Sequence, residues 1–474
     1  MKRTKIVATL GLVSDTKETL SQMIDAGMNV ARLNFSHGSY EWHGKVIDII
    51  RELSEEMNIS IGILADLQGP RIRTLVEEPV EVAVGGKVLF SDVSYKQNVP
   101  AGGKSILLDV PNIIDDIEVG NEILIEDGLM KVMVEKKENG VLETRVIDGG
   151  IVNNHKGVNI PDAKLKISPI TEKDEADLAF VLGKDVDFVA MSFVSSGENI
   201  EDLRGKMKNI LGREDNLPQI VAKIERKEAI KNLDDIIEHT DAVMVARGDL
   251  GIEIEGTKVA VLQKEIIKKS LQAMKPVIVA TQMLNSMIEN PRPTRAEVSD
   301  VTNAVVDHAD AVMLSGESAS GKYPVESVRT MKEIIENTEA SPFDDVTHLL
   351  TLNGGDEDFK KVIKSAYELA KSSKSKAIVL GSASGFTARL MSHFRPEQQL
   401  LVVTHNKKTY FQLALVWGIQ AKLYERGEVF REDIDWLIGE AKKEGKLAEG
   451  DKVVLVLGRT PDGEHMRLIG IKEV

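Results

Sequence analysis

The stretch "QIVAKIERKEAIKNLDDIIEHTDAVMVARGDLG", residues 219–251, decides the fold. It opens on an apolar run (219–225), passes through a segment of helical period ("LDDIIEHT"), and reaches a second run, "AVMVARG" (242–248). Both runs are rich in Val, Ile and Ala and are apolar on both faces, as strands buried in a parallel sheet are. The unit repeats in both directions. Upstream stand "TKIVATL" (4–10), "VARLNFS" (30–36), "IGILADL" (61–67) and "FVAMSFV" (188–194); downstream stand "PVIVATQM" (276–283) and "AVMLSGE" (311–317). Helical stripes lie between most of them, as in "KETLSQMIDAGM", where Leu20, Met23, Ile24 and Met28 share a face. Eight strands with intervening helices predict a (β/α)8 barrel.

One interval breaks the rhythm. Between the third and fourth runs, short alternating segments ("VEVAVGG", "EILIEDG", "LMKVMVEKK", "VLETRVIDGG") are separated by Gly-Gly, Asp-Gly and Asn-Gly. This pattern predicts a small antiparallel β domain inserted in the barrel. After the polar stretch "ASPFDDVTHLLTLNGGDED", the runs "KAIVLG", "LLVVTH" and "DKVVLVLG" alternate with helices and predict a third, α/β domain. The expected division is a barrel at 1–72 and 164–340, an insert at 73–163 and a C-terminal domain at 341–474.

Composition narrows the function. The 474 residues include 60 Lys and Arg against 75 Asp and Glu, a net charge of -15. Such a chain is repelled by nucleic acid and by anionic membranes, so neither is an expected partner, and an anionic ligand needs a local basic pocket. There is no cysteine, hence no disulfide or thiolate chemistry. The opening "MKRTKIVATLGLV" is read as a strand and not a secretory leader, because Asp15 and Glu18 follow without a small-residue cleavage pattern. A cytoplasmic location is the expectation.

Ligand sites in such barrels lie at the C-terminal ends of the strands. The ends here are polar: Thr9; Arg32, Asn34 and Ser36; Asp66; Ser192; Lys223 and Glu225; Arg247 and Asp249; Thr281; Ser315 and Glu317. Any one of these could simply cap the next helix. All eight ends being polar, with acids, a lysine and arginines among them, points to a site. Lys223 and Glu225 are two apart and so share a strand face. Glu225 and Asp249, from adjacent strands, suit one hard divalent cation such as Mg2+, and "ARGDLG" offers backbone N–H groups to an anion. In "ILADLQGPRIRT" (63–74), Asp66 is followed by a Gly-Pro turn and then Arg71 and Arg73. "GESASGKY" (316–323) nearly fits a phosphate loop, but Tyr323 replaces the metal-binding hydroxyl and Pro324 follows, so it is read as a loop. "GSASGFTAR" (381–389) follows a strand and opens a helix, which suits a phosphate and equally suits a plain helix-capping turn. The histidines show no metal-ligand spacing.

These residues resemble the pyruvate kinase family, through "GMNVARLNFSHG", "KGVNIP", "VAKIE", "VMVARGDLGIEI" and the long stretch "ATQMLNSMIENPRPTRAEVSDVTNAVVDHADAVMLSGESASGKYPVESV". The resemblance implies a barrel, an inserted lid and a C-terminal regulatory domain. It also implies glycolytic transfer of a phosphoryl group from phosphoenolpyruvate to ADP, giving pyruvate and ATP. Lys223 would meet the transferring group, Arg32 would hold the phosphate, and Glu225 and Asp249 would bind Mg2+, with Mn2+ as a substitute. Gly248, Asp249 and Thr281 would position the substrate carboxylate. Thr281 or Ser315 would relay the proton. Asn34, Ser36, His37, Arg73 and Lys156 would face the nucleotide. A homotetramer, and a phosphorylated effector bound at Ser382, Ser384, Gly385 and Thr387, are further implications.

The sequence departs from the family at three places, one of them the third domain, which lacks the full Thr/Ser-rich effector loop of fructose-bisphosphate-activated members while "GSASGFTAR" keeps its skeleton. Leu12 replaces a proline near the nucleotide base. Many members hold K+ with an Asn, a Ser, an Asp and a Thr, with a Glu near the turn; here Asn34, Ser36 and Asp66 remain, Leu67 replaces the Thr and Arg71 the Glu. The expectation is that Arg71 sits beside Asp66 as an internal substitute and K+ is not required. Two rivals stand beside the kinase: a Mg2+-enolate barrel such as an aldolase or phosphoenolpyruvate mutase, and a catalytically inactive binding protein for a sugar phosphate or nucleotide.

Overall fold

The computed structural model describes residues 2–100, 102–344, 357–424, 430–457 and 468–474. Eight parallel strands close into a barrel: Lys5–Thr9, Val30–Asn34, Gly62–Asp66, Phe188–Met191, Gln219–Ile224, Ala242–Ala246, Val277–Ala280 and Ala311–Leu314. The first and last pair directly, Ile6 beside Val312. Every neighbouring pair is parallel, so all eight C-terminal ends meet at one mouth. The apolar-on-both-faces pattern is explained by two cores. One lies inside the barrel, with Val7, Val30, Leu64, Phe188, Val221, Met244, Ile278 and Met313. The other lies between the strands and the outer helices. Ala414 and Leu415 of the C-terminal domain join the interior cluster.

Local signals end the helices where chemistry requires. Thr16 caps helix Lys17–Ala26 by accepting from the Thr19 amide, and Gly27 stops it at φ +121. Leu20, Met23 and Ile24 face the core from this helix; Met28 is buried beyond its end rather than on its stripe. Thr171 and Asp174 close a reciprocal cap on helix Glu172–Gly183, and Thr294 and Glu297 do so on Arg295–Val306.

The inserted segment forms a closed seven-stranded barrel beside a two-stranded sheet. Its pairs are antiparallel with one exception, which corrects the purely antiparallel expectation. Lys87–Asp92 and Ser105–Leu108 run parallel, because connection 93–104 carries the chain back before the second strand begins. The C-terminal sheet has five strands, four parallel and one antiparallel. Two of them, Ile419–Leu423 and Leu468–Glu473, are half-exposed or exposed along most of their length and lack the apolar run that marks the others. Residues 345–356, within the polar stretch expected to separate barrel and third domain, lie outside the described residues. "GESASGKY" is a short helical turn, Gly316–Ala319, leading into helix Pro324–Glu339; Lys322 pairs with Glu289 at 2.5 Å, as a loop lysine would. Among the described residues no helix is long and apolar enough to cross a membrane.

Candidate active site

The barrel mouth gathers a half-buried cation between carboxylates. Lys223, near the end of the fifth strand, places Nζ 3.4 Å from Asp66 Oδ1, 3.3 Å from Glu225 Oε2 and 2.7 Å from Ser192 Oγ. Burial opposes its charge, but Asp66 and Glu225 hold the ammonium above the usual lysine value. Ser192 is itself fixed, donating to the Leu67 carbonyl at 2.9 Å. Arg32 grips Asp66 from the other side, with Nε and Nη2 both 2.7 Å from Oδ2, and its Nη1 donates to Thr9 Oγ1 at 2.8 Å. Burial works against the charge of Asp66, yet Lys223 and Arg32 keep its carboxyl below the usual aspartate value.

Glu225 accepts from the Phe193 amide at 2.7 Å and is buried. Burial pushes its carboxyl up; Lys223 pulls it down and the charge of Asp249 adds to the rise. Asp249 is in the first turn of helix Arg247–Glu253 and is exposed. Two carboxylates competing for positive charge at one place are suited to a divalent cation. Among the described residues no group of three or more His, Cys, Asp or Glu side chains could hold a metal. The pair Glu225 and Asp249 suits a hard ion that takes one or two carboxylates and fills its other positions with water and substrate oxygen.

Beyond the sixth strand, the Gly248 amide donates to Thr281 Oγ1 at 2.8 Å. Thr281 has φ +67, a left-handed conformation that a β-branched residue adopts only under strain. Arg247 sustains it, donating through Nη2 to the Thr281 carbonyl at 2.6 Å while Nη1 bonds Asp300 at 2.8 Å. A cavity of about 860 Å³ opens here, lined by Gly248, Asp249, Thr281, Arg247 and Asp300, with Asp127 reaching it from the lid. Ser315 lies at the end of the eighth strand, its amide donating to Glu317 at 2.7 Å.

The residues expected at the nucleotide fall in two groups. Asn34, Ser36 and His37 form one loop, Asn34 Oδ1 accepting from the Ser36 amide at 3.1 Å. Arg73 and Lys156 belong to the lid, where Gly157 stands opposite Arg73. There Arg73 Nη1 donates to the His155 carbonyl at 3.2 Å, and Lys156 pairs with Glu126. Arg71 requires a correction. It is exposed, and Arg32 and Lys223, rather than Arg71, flank Asp66. The Gly-Pro turn carries the chain out of the barrel, so nearness in sequence does not become contact. In the third domain Ser382 is buried, Ser384 is exposed, and Gly385 (φ +77) opens helix Phe386–His393. Leu12 is 82% exposed.

Sequence reading left three contributors without a role. Thr9 and Ser192 were visible only as hydroxyls at strand ends; their function is to aim Arg32 and Lys223. The Phe193 amide gave no signal, since it reaches Glu225 through a left-handed turn (φ +58).

This barrel mouth sets a half-buried lysine and arginine, suited to an anion, beside two carboxylates suited to a cation. The chain matches the family model "Pyruvate kinase, barrel domain" over residues 1–328 and "Pyruvate kinase, alpha/beta domain" over 360–466. It is 42% identical to a pyruvate kinase of Geobacillus stearothermophilus over 469 residues, 98% of this chain and 78% of that protein. It is 40% identical to one of Sporosarcina psychrophila, over 98% and 79% of the two chains. A crystal structure of a pyruvate kinase from Cryptosporidium parvum superposes with a TM-score of 0.93 at 32% identity, covering 100% of this chain and 96% of the other. The chain belongs to the pyruvate kinase family.

Proposed function

We propose that this enzyme moves a phosphoryl group from phosphoenolpyruvate to ADP in glycolysis, in the cytoplasm, giving pyruvate and ATP. The observation that carries the reading is the Lys223 ammonium, held between Asp66 and Glu225 at the barrel mouth. Phosphoryl transfer needs position and charge neutralisation more than a protein nucleophile, and the site supplies both. Arg32, aimed by Thr9 and Asp66, binds the phosphate of the substrate. Lys223 faces the oxygens of the group in transit, where its charge counts most. Gly248, Asp249 and Thr281 orient the substrate carboxylate. As the phosphorus–oxygen bond to the enol oxygen breaks and the bond to the terminal oxygen of ADP forms, C3 takes up a proton relayed by Thr281 or Ser315. Glu225 and Asp249 would hold Mg2+ or Mn2+, which supplies charge neutralisation at the phosphate and the enol oxygen. Asn34, Ser36 and His37 on the barrel, with Arg73 and Lys156 on the lid, face the nucleotide, and closure of the lid excludes water.

The same reading assigns residues 1–72 and 164–340 to the barrel, 73–163 to the lid and 341–474 to a regulatory domain. Its loop 381–389 would bind a phosphorylated effector, and the assembly would be a homotetramer. We further propose that K+ is not required. Incubation with phosphoenolpyruvate, ADP and Mg2+ tests the central claim: ATP and pyruvate should form in equal amounts. A mutase would convert phosphoenolpyruvate without making ATP, and an aldolase or a binding protein would leave both substrates intact.

A further inference from the structure

Behind the nucleotide-side loop lies a residue that the mechanism above does not use. Helix Tyr40–Glu56 starts directly after this loop, and His43 on its first turns is 2% exposed. The imidazole stacks on Phe35, centroids 4.1 Å apart and planes 15° from parallel, and meets the Trp42 ring edge-on at 4.9 Å. Its Nε2 lies 2.9 Å from the His37 carbonyl oxygen. A carbonyl only accepts, so Nε2 carries the hydrogen and Nδ1 is left with a lone pair. Nδ1 is buried and has no hydrogen-bond partner among the described residues. The imidazole thus spends its one N–H on the loop. The loop is shaped to receive it: Gly38 has φ +84, and a Cβ there would stand 2.9 Å from His43 Nε2. Only glycine lets the backbone turn this close over the ring.

We propose that His43 is a positioning residue for the nucleotide, holding the loop of Asn34, Ser36 and His37 at its working distance through the His37 carbonyl. It touches no substrate. Phe35, which its ring supports, separates Asn34 from Ser36 in sequence, so the stack and the hydrogen bond fix the loop at two points. Loss of the hydrogen bond frees the loop and leaves the phosphoenolpyruvate side, held by Arg32 and Thr281, unmoved. The inference rests on the reading that this loop faces ADP.

The test is steady-state kinetics on the full-length enzyme with each substrate varied in turn. His43→Phe keeps the stacked ring and removes the donor. It should raise KM for ADP about tenfold, as loss of one neutral hydrogen bond does, with KM for phosphoenolpyruvate within about twofold. His43→Gln keeps an N–H and should recover most of the loss. Gly38→Ala crowds the ring from the loop side and should reproduce the ADP effect, which keeps the idea testable if His43→Phe folds poorly. Equal rises in both KM values, or a His43→Gln enzyme no better than His43→Phe, would mean a merely structural role and overturn the proposal. Asn34→Ala separates the two levels of inference. If it leaves KM for ADP unchanged, the loop does not face the nucleotide and both readings fall. If it raises KM while His43→Phe does not, only the role of His43 is refuted.

Discussion

Replacing Lys223 by methionine tests the central electrostatic claim. The side chain keeps its unbranched shape, one atom shorter, and loses a charge that lies 3.4 Å from Asp66 and 3.3 Å from Glu225. At an effective dielectric of about 20, each contact is worth roughly 5 kcal/mol of Coulomb attraction, before the cost of desolvating the partners. The two carboxylates respond differently. Asp66 keeps Arg32 at 2.7 Å and stays ionised. Glu225 keeps only the Phe193 amide and faces Asp249, so burial drives it toward the protonated form. On the proposed reading, ground-state binding rests on Arg32, Gly248 and Thr281 and should change little. The transition state, where charge spreads over the moving phosphoryl oxygens, loses its nearest cation. A preorganised group of this kind contributes about 4 kcal/mol, so turnover should fall roughly a thousandfold. Two assays separate binding from chemistry: a coupled assay for pyruvate formation, and exchange of the C3 protons of pyruvate followed by NMR. Exchange needs no phosphoryl transfer and should survive better. Near-normal turnover in Lys223→Met would remove this residue from the role and with it the account of the half-buried cation.

The legibility of the fold and site followed the physics of each feature. The barrel was readable because strands buried on both faces must be apolar throughout, and eight such runs leave few alternatives. The edge strand Leu468–Glu473 was not, because an exposed strand has no such requirement. Lys223 and Glu225 could be placed on one face from their spacing alone. That Glu225 is completed by a backbone amide depends on the left-handed turn at Phe193, which no spacing rule encodes. The partner of Asp66 was misplaced for a related reason. Sequence proximity favoured Arg71, but a parallel barrel puts Asn34 of the second strand beside Asp66 of the third, and so brings Arg32 to it from the neighbouring strand. Long-range pairing, not local order, chose the counter-ion.

In the third domain, Ser384→Glu with Thr387→Glu should abolish calorimetric binding of sugar phosphates or nucleoside monophosphates; unchanged affinity would move the effector site elsewhere. Chelation with EDTA should remove activity, and the Mg2+ needed for half-maximal rate should rise as pH falls, because burial makes Glu225 easier to protonate; a pH-independent requirement would contradict its place as a ligand. Lys5 donates to the Ile419 carbonyl at 2.7 Å and burial lowers its pKa to about 8. The unfolded chain therefore binds the extra proton between about pH 8 and 10.4, so this group makes stability rise with pH across that window, by on the order of 3 kcal/mol. Denaturant titrations of Lys5→Met at pH 7.5 and 10 should lack this increment; a slope equal to that of the native enzyme would show that Lys5 is not buried as a cation. The monovalent requirement follows from charge at Asp66. Its carboxylate is already shared by Arg32 and Lys223, and Leu67, buried where a hydroxyl would help to bind an ion, offers no oxygen. Arg71, exposed, adds a positive field that salt screens within about 8 Å. A K+ ion would thus meet two cations and no free carboxylate. Full activity is expected with Mg2+ in buffer free of sodium and potassium, and Leu67→Thr with Arg71→Glu, which supplies a hydroxyl oxygen and a second carboxylate that neither Arg32 nor Lys223 occupies, should create a K+ requirement. Strong activation of the native enzyme by KCl, beyond an ionic-strength control, would refute the reasoning, since it would show that the ion finds an unshared negative charge despite Arg32 and Lys223.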